Sequence, residues 1–132
     1  VIVVDSSAVV LALLDESAAG GAARARLSGD ADLHAPHLVD LEVISVLRRL
    51  AKRREIPTPR AEAVLEDVAD LAITRYPHWR LRARIWDLRH NLSPYDAAYV
   101  ALAEGLGCSL LTADQRLVKA PGIDCDVETL AG

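Results

Sequence analysis

The chain has 132 residues, a formal net charge of −4, and 52% apolar and 26% charged residues. That length fits one compact domain over residues 1–132, with a core that needs no staples. The net negative charge argues against a generic polyanion binder. Phe and Met are absent, so the core falls to Ala, Leu, Val and Ile, and Val1 is not expected to be the translation start. The longest apolar run, Ala8 to Leu14, is far short of the ~20 residues that span a bilayer. Cys108 and Cys125 form no CxxC pair or Cys/His cluster, which speaks against zinc. With no signal peptide in view, they are expected to be reduced, packed thiols of a cytoplasmic protein.

VIVVD, residues 1–5, is short, β-branched and without alternation, the pattern of a buried parallel strand. Ser6 or Ser7 is expected to cap a helix to about Leu14. Gly20-Gly21 breaks that pattern, and a short Ala/Arg helix follows to about Leu27. Ala31 to Ala35 is a second strand candidate. Pro36 leads into a long helix, about His37 to Arg54, with Val39, Val43, Val46, Leu47 and Leu50 at helical spacing. Pro57 and Pro59 mark a turn, with Thr58 as cap and Pro59 at the first helical position of a helix to about Leu71.

Ala72 to Arg75 is a short strand, and residues 78–90 a helix carrying Leu81, Ile85 and Leu88. Ser93-Pro94-Tyr95-Asp96 opens another helix, ended by Gly105 or Gly107. Cys108 to Leu111 is a buried strand, Asp114 to Lys119 a short helix, and Ile123 to Val127 a last strand. Short buried strands alternating with helices imply an α/β fold: a three-layer sandwich with a central, mostly parallel sheet of about four or five strands flanked by helices. In such sheets ligands bind beyond the carboxyl ends of the strands.

That rule selects the acids. Asp5 ends the first strand and Asp114 follows the strand CSLL, so both sit on one edge. Asp96 lies in the first turn of the preceding helix. Glu42 borders the apolar stripe of the long helix, whereas Asp40 points away and is read as solvated. Taken singly, each has a structural explanation: a turn residue for Asp5, a capping-box position for Asp96, an N-cap for Asp114 and a solvated helix position for Glu42. Taken together, they form a carboxylate cluster whose mutual repulsion calls for a hard dication. Mg²⁺ or Mn²⁺ prefers oxygen ligands and bridges to phosphate. Such an ion also activates water as a nucleophile toward a phosphodiester.

VVDSSAVV, LEVISVLRRL, LSPYDAAYVALAEGLG and LLTADQRL together make the chain resemble a PIN-domain ribonuclease, specifically a VapC-type toxin of a bacterial toxin–antitoxin pair. YDAAYVALAE followed by LLTAD is the specific part of the match, which extends over essentially the whole chain. The resemblance implies a PIN-like fold, with Asp5, Glu42 and Asp96 as metal-binding acids and Asp114 as a fourth that holds metal or orients water. Ser7 and Thr112 match hydroxyls beside the first and last acids. Ser45 stands where the family often has Asn, a shorter reach for a supporting contact. The resemblance also implies endoribonuclease activity with Mg²⁺ or Mn²⁺, a homodimer, and a VapB-like antitoxin that blocks the site.

Two basic tracts remain. Arg48 to Arg54 reads as a solvated helix end. Arg75 to Arg89 is interleaved with Tyr76, Trp79 and Trp86; Trp86 is expected in the core or a dimer seam. Arg80, Arg82 and Arg84 face either RNA phosphate or an acidic antitoxin tail. His78 and His90 are expected to be solvated or bonded to backbone. Two other readings stay open: a receiver-like acidic-pocket regulatory domain, disfavoured by the lack of a lysine beside the acids, and a PIN-like module that binds RNA or a partner without cutting.

Overall fold

The computed structural model describes residues 1–29 and 31–130. Strand β1 (Ile2–Val4) is buried along its length, because a strand with neighbours on both edges and helices on both faces has no side to give to polar residues. β2 (Leu33–Pro36), β3 (Ile73–Tyr76), β4 (Ser109–Thr112) and β5 (Val127–Thr129) complete one sheet in the order β3-β2-β1-β4-β5. All its pairings are parallel, with Val3 opposite His34 on one side and Leu110 on the other.

The sheet grows from β1 to β2 to β3, then returns to place β4 on the free edge of β1. Right-handed crossovers running in opposite directions put their helices on opposite faces. α1 (Ser6–Leu14), α2 (Ala18–Leu27), α3 (Leu38–Lys52) and α4 (Thr58–Asp70) pack with one another. α6 (Pro94–Leu106) lies on β1, β2 and β4, with α5 (Arg82–Asp87) against it. The core is the expected aliphatic one, centred on Val3, Val4, Val9, Val39, Val43, Val100, Leu110 and Leu111, with Tyr99 as its one large aromatic. Among the described residues no helix is long and apolar enough to cross a membrane.

Several local expectations shift. The cap of α1 is Asp5, whose carboxylate accepts from the Ala8 N–H at 3.0 Å, and not Ser6 or Ser7. Gly20-Gly21 lies inside α2 and does not precede it. Gly20 is there because α2 turns back against the end of α1: a Cβ at Gly20 would stand 1.9 Å from the Asp15 carbonyl oxygen. α4 starts one residue early, with Pro57 as cap and Pro59 in the first turn. The expected helix over residues 78–90 is broken into a 3₁₀ turn, Trp79–Leu81, and the short α5. The last strand lies at Val127–Thr129, downstream of the expected 123–127. Trp86 is not in the core of this chain; it is 65% exposed. Asp40 is not simply solvated: Arg75 grips it with two hydrogen bonds of 2.6 and 2.8 Å.

Candidate metal centre

The carboxyl ends of β1 and β4 are neighbours, and the chain leaves them for opposite faces of the sheet. A crevice opens at such a reversal point, and the residues that follow the two strands line it. Asp5 follows β1 directly. Its carboxylate is buried and accepts from Ser7 Oγ at 2.6 Å, from the Ala8 N–H, and from Thr112 Oγ1 at the end of β4. Both hydroxyls are fixed in that role by backbone donors. Ser7 Oγ accepts from the Ala113 N–H at 2.9 Å and Thr112 Oγ1 from the Asp114 N–H at 3.0 Å. Each hydroxyl therefore has its proton left to give to Asp5.

Glu42 reaches the same mouth from α3. Its Oε1 accepts from the buried Tyr99 Oη at 2.5 Å and from Ser6 Oγ at 3.3 Å. Both donors fall on one oxygen, and among the described residues no hydrogen bond reaches Oε2. Asp96 sits in the first turn of α6, where Ser93 Oγ accepts from its backbone N–H at 3.2 Å. Asp114 caps the 3₁₀ turn Gln115–Lys119 and is held by Arg116 through Nε at 3.1 Å and Nη2 at 2.8 Å.

Electrostatics link the four acids. Burial pushes the Asp5 carboxyl above the usual carboxylate range; the bonds from Ser7, Thr112 and Ala8 oppose this, and the charge of Asp96 adds to it. Glu42 is also raised, first by burial, with Tyr99 and Ser6 opposing and Asp96 and Asp5 contributing repulsion. Asp96 is raised by burial and then by Asp114, with Arg116 pulling the other way. Asp114 alone is lowered, because Arg116 hydrogen-bonds to it. Burial and the adjoining Glu42 hold the Tyr99 phenol far above its ordinary value, so it stays a donor.

Among the described residues, no three His, Cys, Asp or Glu side chains are drawn close enough to hold one ion. Mg²⁺ does not require such a cage: it keeps several waters and takes one or two carboxylates together with substrate phosphate. The donors are all hard oxygens, they repel one another, and one guanidinium stands against four carboxylates. On that chemistry the site fits a hard divalent cation.

The four acids expected from the sequence lie at or beside this crevice, linked pairwise by charge, and Ser7 and Thr112 stand against Asp5. Sequence reasoning missed Tyr99, Ser6 and Arg116. Tyr99 shares a face with buried α6 residues and reads as core. Arg116 follows Asp114 by two residues, a signal that can be found once Asp114 is taken as a cap. Ser45 is exposed beside Glu42. His78 is bonded to backbone as expected: its Nε2 accepts from the Leu38 N–H at 3.0 Å and so caps α3.

A parallel sheet of this order, with acids gathered at its reversal point, defines a class of α/β domain whose chemistry sits at one edge. The PIN domain family matches residues 2–123. Ribonuclease VapC9 of Mycobacterium tuberculosis is 48% identical over 126 residues, covering 96% of this chain and 95% of the relative. The chain therefore belongs to the PIN-domain family, among the VapC ribonucleases. Solved structures share the fold at low identity. VapBC2 from Rickettsia felis, bound to a DNA fragment from their promoter, superposes with a TM-score of 0.69 at 12% identity, covering 97% of each chain. VapBC-5 from Mycobacterium tuberculosis, a member of the VapBC family of toxin-antitoxin systems, gives 0.56 at 19%, covering 96% of this chain and 94% of the other.

Proposed function

We propose that the chain acts as a single-domain endoribonuclease of the cytoplasm, the toxin half of a toxin–antitoxin pair. It works as a homodimer, needs Mg²⁺ or Mn²⁺, and is restrained by a VapB-like antitoxin. The observation that carries this is the meeting of Asp5, Glu42, Asp96 and Asp114 at the β1/β4 reversal point, each within the electrostatic reach of another. The names of its relatives, ribonuclease and toxin–antitoxin, support the substrate and the partner.

Asp5, Glu42, Asp96 and Asp114 are the residues that would hold the dication between them, one or two directly and the others as neighbouring charge. When bound, it supplies activation of water and neutralises charge developing on the scissile phosphate. The protein's own part is positioning. Ser7 and Thr112 lock both oxygens of Asp5, so that the carboxylate does not turn. Tyr99 and Ser6 hold one oxygen of Glu42 and direct the other into the mouth. Ser93 sets the start of α6 and with it Asp96. Arg116 keeps Asp114 ionised and stands ready to meet a phosphate oxygen.

The test is cleavage of an RNA panel by the purified protein with Mn²⁺ or Mg²⁺, with EDTA as control. Cleavage that needs the dication and is lost in Asp96→Asn is expected. A dimer inert toward every RNA in Mn²⁺ overturns the enzyme reading. An Asp96→Asn variant that cuts like wild type overturns the site.

A further inference from the structure

The segment after β3 carries a repeat that the acid site does not use. Trp79-Arg80-Leu81-Arg82 is followed, seven residues on, by Trp86-Asp87-Leu88-Arg89: W-x-L-R twice. In both units the leucine turns inward, Leu88 being buried and Leu81 partly so. In both the tryptophan stays outside, Trp79 at 69% and Trp86 at 65% exposure. In both the arginine covers its own tryptophan. The Arg82 guanidinium lies 3.7 Å from the Trp79 ring centroid, and that of Arg89 lies 4.4 Å from the Trp86 ring. Each arginine is also tied to the carbonyl of the same tryptophan, at 2.7 and 2.9 Å. The pairs are thus set before any ligand arrives, and the exposure of each indole leaves ring surface free beside its cation.

Two exposed indoles seven residues apart, each with a cation beside it, offer a contact surface whose partner can be read from its chemistry. The cover suggested by the chemistry is flat, aromatic and negatively charged at its rim. An unpaired nucleobase with its phosphate is all three. A hydrophobic partner alone leaves the guanidiniums without a counter-charge.

Position adds a second argument. A groove of about 240 Å³ beside the second pair has Arg82, Ile85, Trp86, Arg89 and Pro94 in its walls. Pro94 is the first residue of α6, two before Asp96. His78, which also lines the groove, caps α3, the helix of Glu42. The groove therefore joins the starts of the two helices that carry metal-site acids.

The geometry points to a single-strand platform: Trp79/Arg82 and Trp86/Arg89 each stack an unpaired base of the RNA substrate and neutralise its phosphate, holding the strand as it enters the acid mouth. The inference rests on the ribonuclease reading and names the form of substrate, single-stranded and read by stacking. Stacking tolerates sequence because every base offers a π face.

Trp79 and Trp86 are the chain's two tryptophans, so intrinsic fluorescence reports on the platform alone. The experiment titrates the full-length protein, in EDTA, with a single-stranded oligoribonucleotide and with its duplex. Quenching by the single strand and not by the duplex is expected. Trp79→Ala and Trp86→Ala should each weaken binding about tenfold or more, while Trp86→Phe keeps most of the affinity. In Mn²⁺ the loss should fall on KM for cleavage more than on kcat.

RNA that is bound and cut with emission unmoved, and with both alanine variants binding as wild type does, removes the platform and leaves the nuclease standing. Equal quenching by duplex overturns it too. Dissociation of the dimer in Trp86→Ala, read by gel filtration, reassigns the repeat to a seam between copies. A wild-type protein that neither binds nor cuts any RNA defeats the ribonuclease reading, and the inference with it.

Discussion

The fold disfavours the ionised form of Asp96. Its carboxyl is raised by burial and by Asp114. The folded chain therefore holds that proton more tightly than the unfolded chain does. This stabilising contribution is complete below the ordinary carboxylate pKa and is lost as pH rises through the raised folded value. At neutral pH the ionised group costs stability. Asp96→Asn should abolish most cleavage, by about a hundredfold or more, while raising the melting temperature of the metal-free protein at pH 7. Calorimetry on the two proteins checks the second half, and a variant that is both inactive and less stable would contradict it. Tyr99→Phe tests the other side of the mouth. It removes the 2.5 Å bond to Glu42 and no packing volume. It should cost about 1–2 kcal/mol and lower activity about ten- to hundredfold, measured by urea melts and by initial rates.

Helix ends decide much at the scale of elements. α3 and α6 finish in the same way. Beyond α3 the Glu55 N–H donates to the Leu50 carbonyl and the Arg54 N–H to that of Ala51; beyond α6 the Cys108 N–H donates to Ala103 and the Gly107 N–H to Glu104. Both are Schellman motifs, which need a left-handed residue just past the helix. Gly107 takes φ +65° without strain, whereas Arg54 takes φ +57° with a Cβ present. Arg54→Gly should stabilise the protein by about 1 kcal/mol, and Gly107→Arg should cost a similar amount; chemical denaturation of both variants checks the pair. Gly20→Ala should do more harm, about 3 kcal/mol, because the added methyl meets backbone that has nowhere to go.

The helix ends also show what could be read in advance. Residues 93–107 announced themselves because cap, proline, apolar face and terminal glycine agree. Residues 78–90 misled because helical spacing of Leu81, Ile85 and Leu88 says nothing about the 3₁₀ turn at their start. Gly20-Gly21 looked like a break, since a glycine chosen for close packing and one chosen for a turn are the same letter. Asp5 is legible as a candidate site acid from its place after VIVVD. Its second task as cap is not legible, because Ser6 and Ser7 are equally good capping residues by type; they instead serve Glu42 and Asp5. Tyr99 and Arg116 were missed because contact across sequence distance, or a grip two residues long, leaves no periodic trace.

Across the whole molecule, like charge is gathered at one mouth and dispersed elsewhere. Asp5, Glu42 and Asp96 are all raised, first by burial, while Glu104 and Asp114 are lowered by their arginine partners. The two groups act in different windows. The raised acids withdraw stability as pH climbs above the ordinary carboxylate range. The lowered ones supply stability at neutral pH that is lost as pH falls through their folded values, below that range. Metal-free protein should therefore melt higher near pH 5 than near pH 8. Added Mn²⁺ should close most of that gap, since an ion that binds only the folded state stabilises it; differential scanning fluorimetry at the two pH values, with and without Mn²⁺, gives the result. Glu104 is a second organiser: it accepts from Arg84 at 2.6 and 3.0 Å and from the Asp124 N–H at 2.7 Å. It thereby takes Arg84 out of the cations available to an RNA strand and ties the 120s loop to α6.

The double engagement of Asp5 bears on how a harmless version of this protein would be made. Ser7 and Thr112 both point hydroxyl protons at it, and Ala8 adds an N–H. An asparagine there would turn an amide hydrogen toward a hydroxyl already committed to donating. Its carbonyl oxygen would keep the bonds from Ser7 and Ala8, so the cap of the first helix survives, but the contact with Thr112 at the end of β4 is lost. Silencing the protein at residue 5 therefore also disturbs the seam between its two central strands, and whatever recognises the intact surface would meet an altered one. A worker who needs an inert decoy of native shape should leave that position alone and neutralise residue 96.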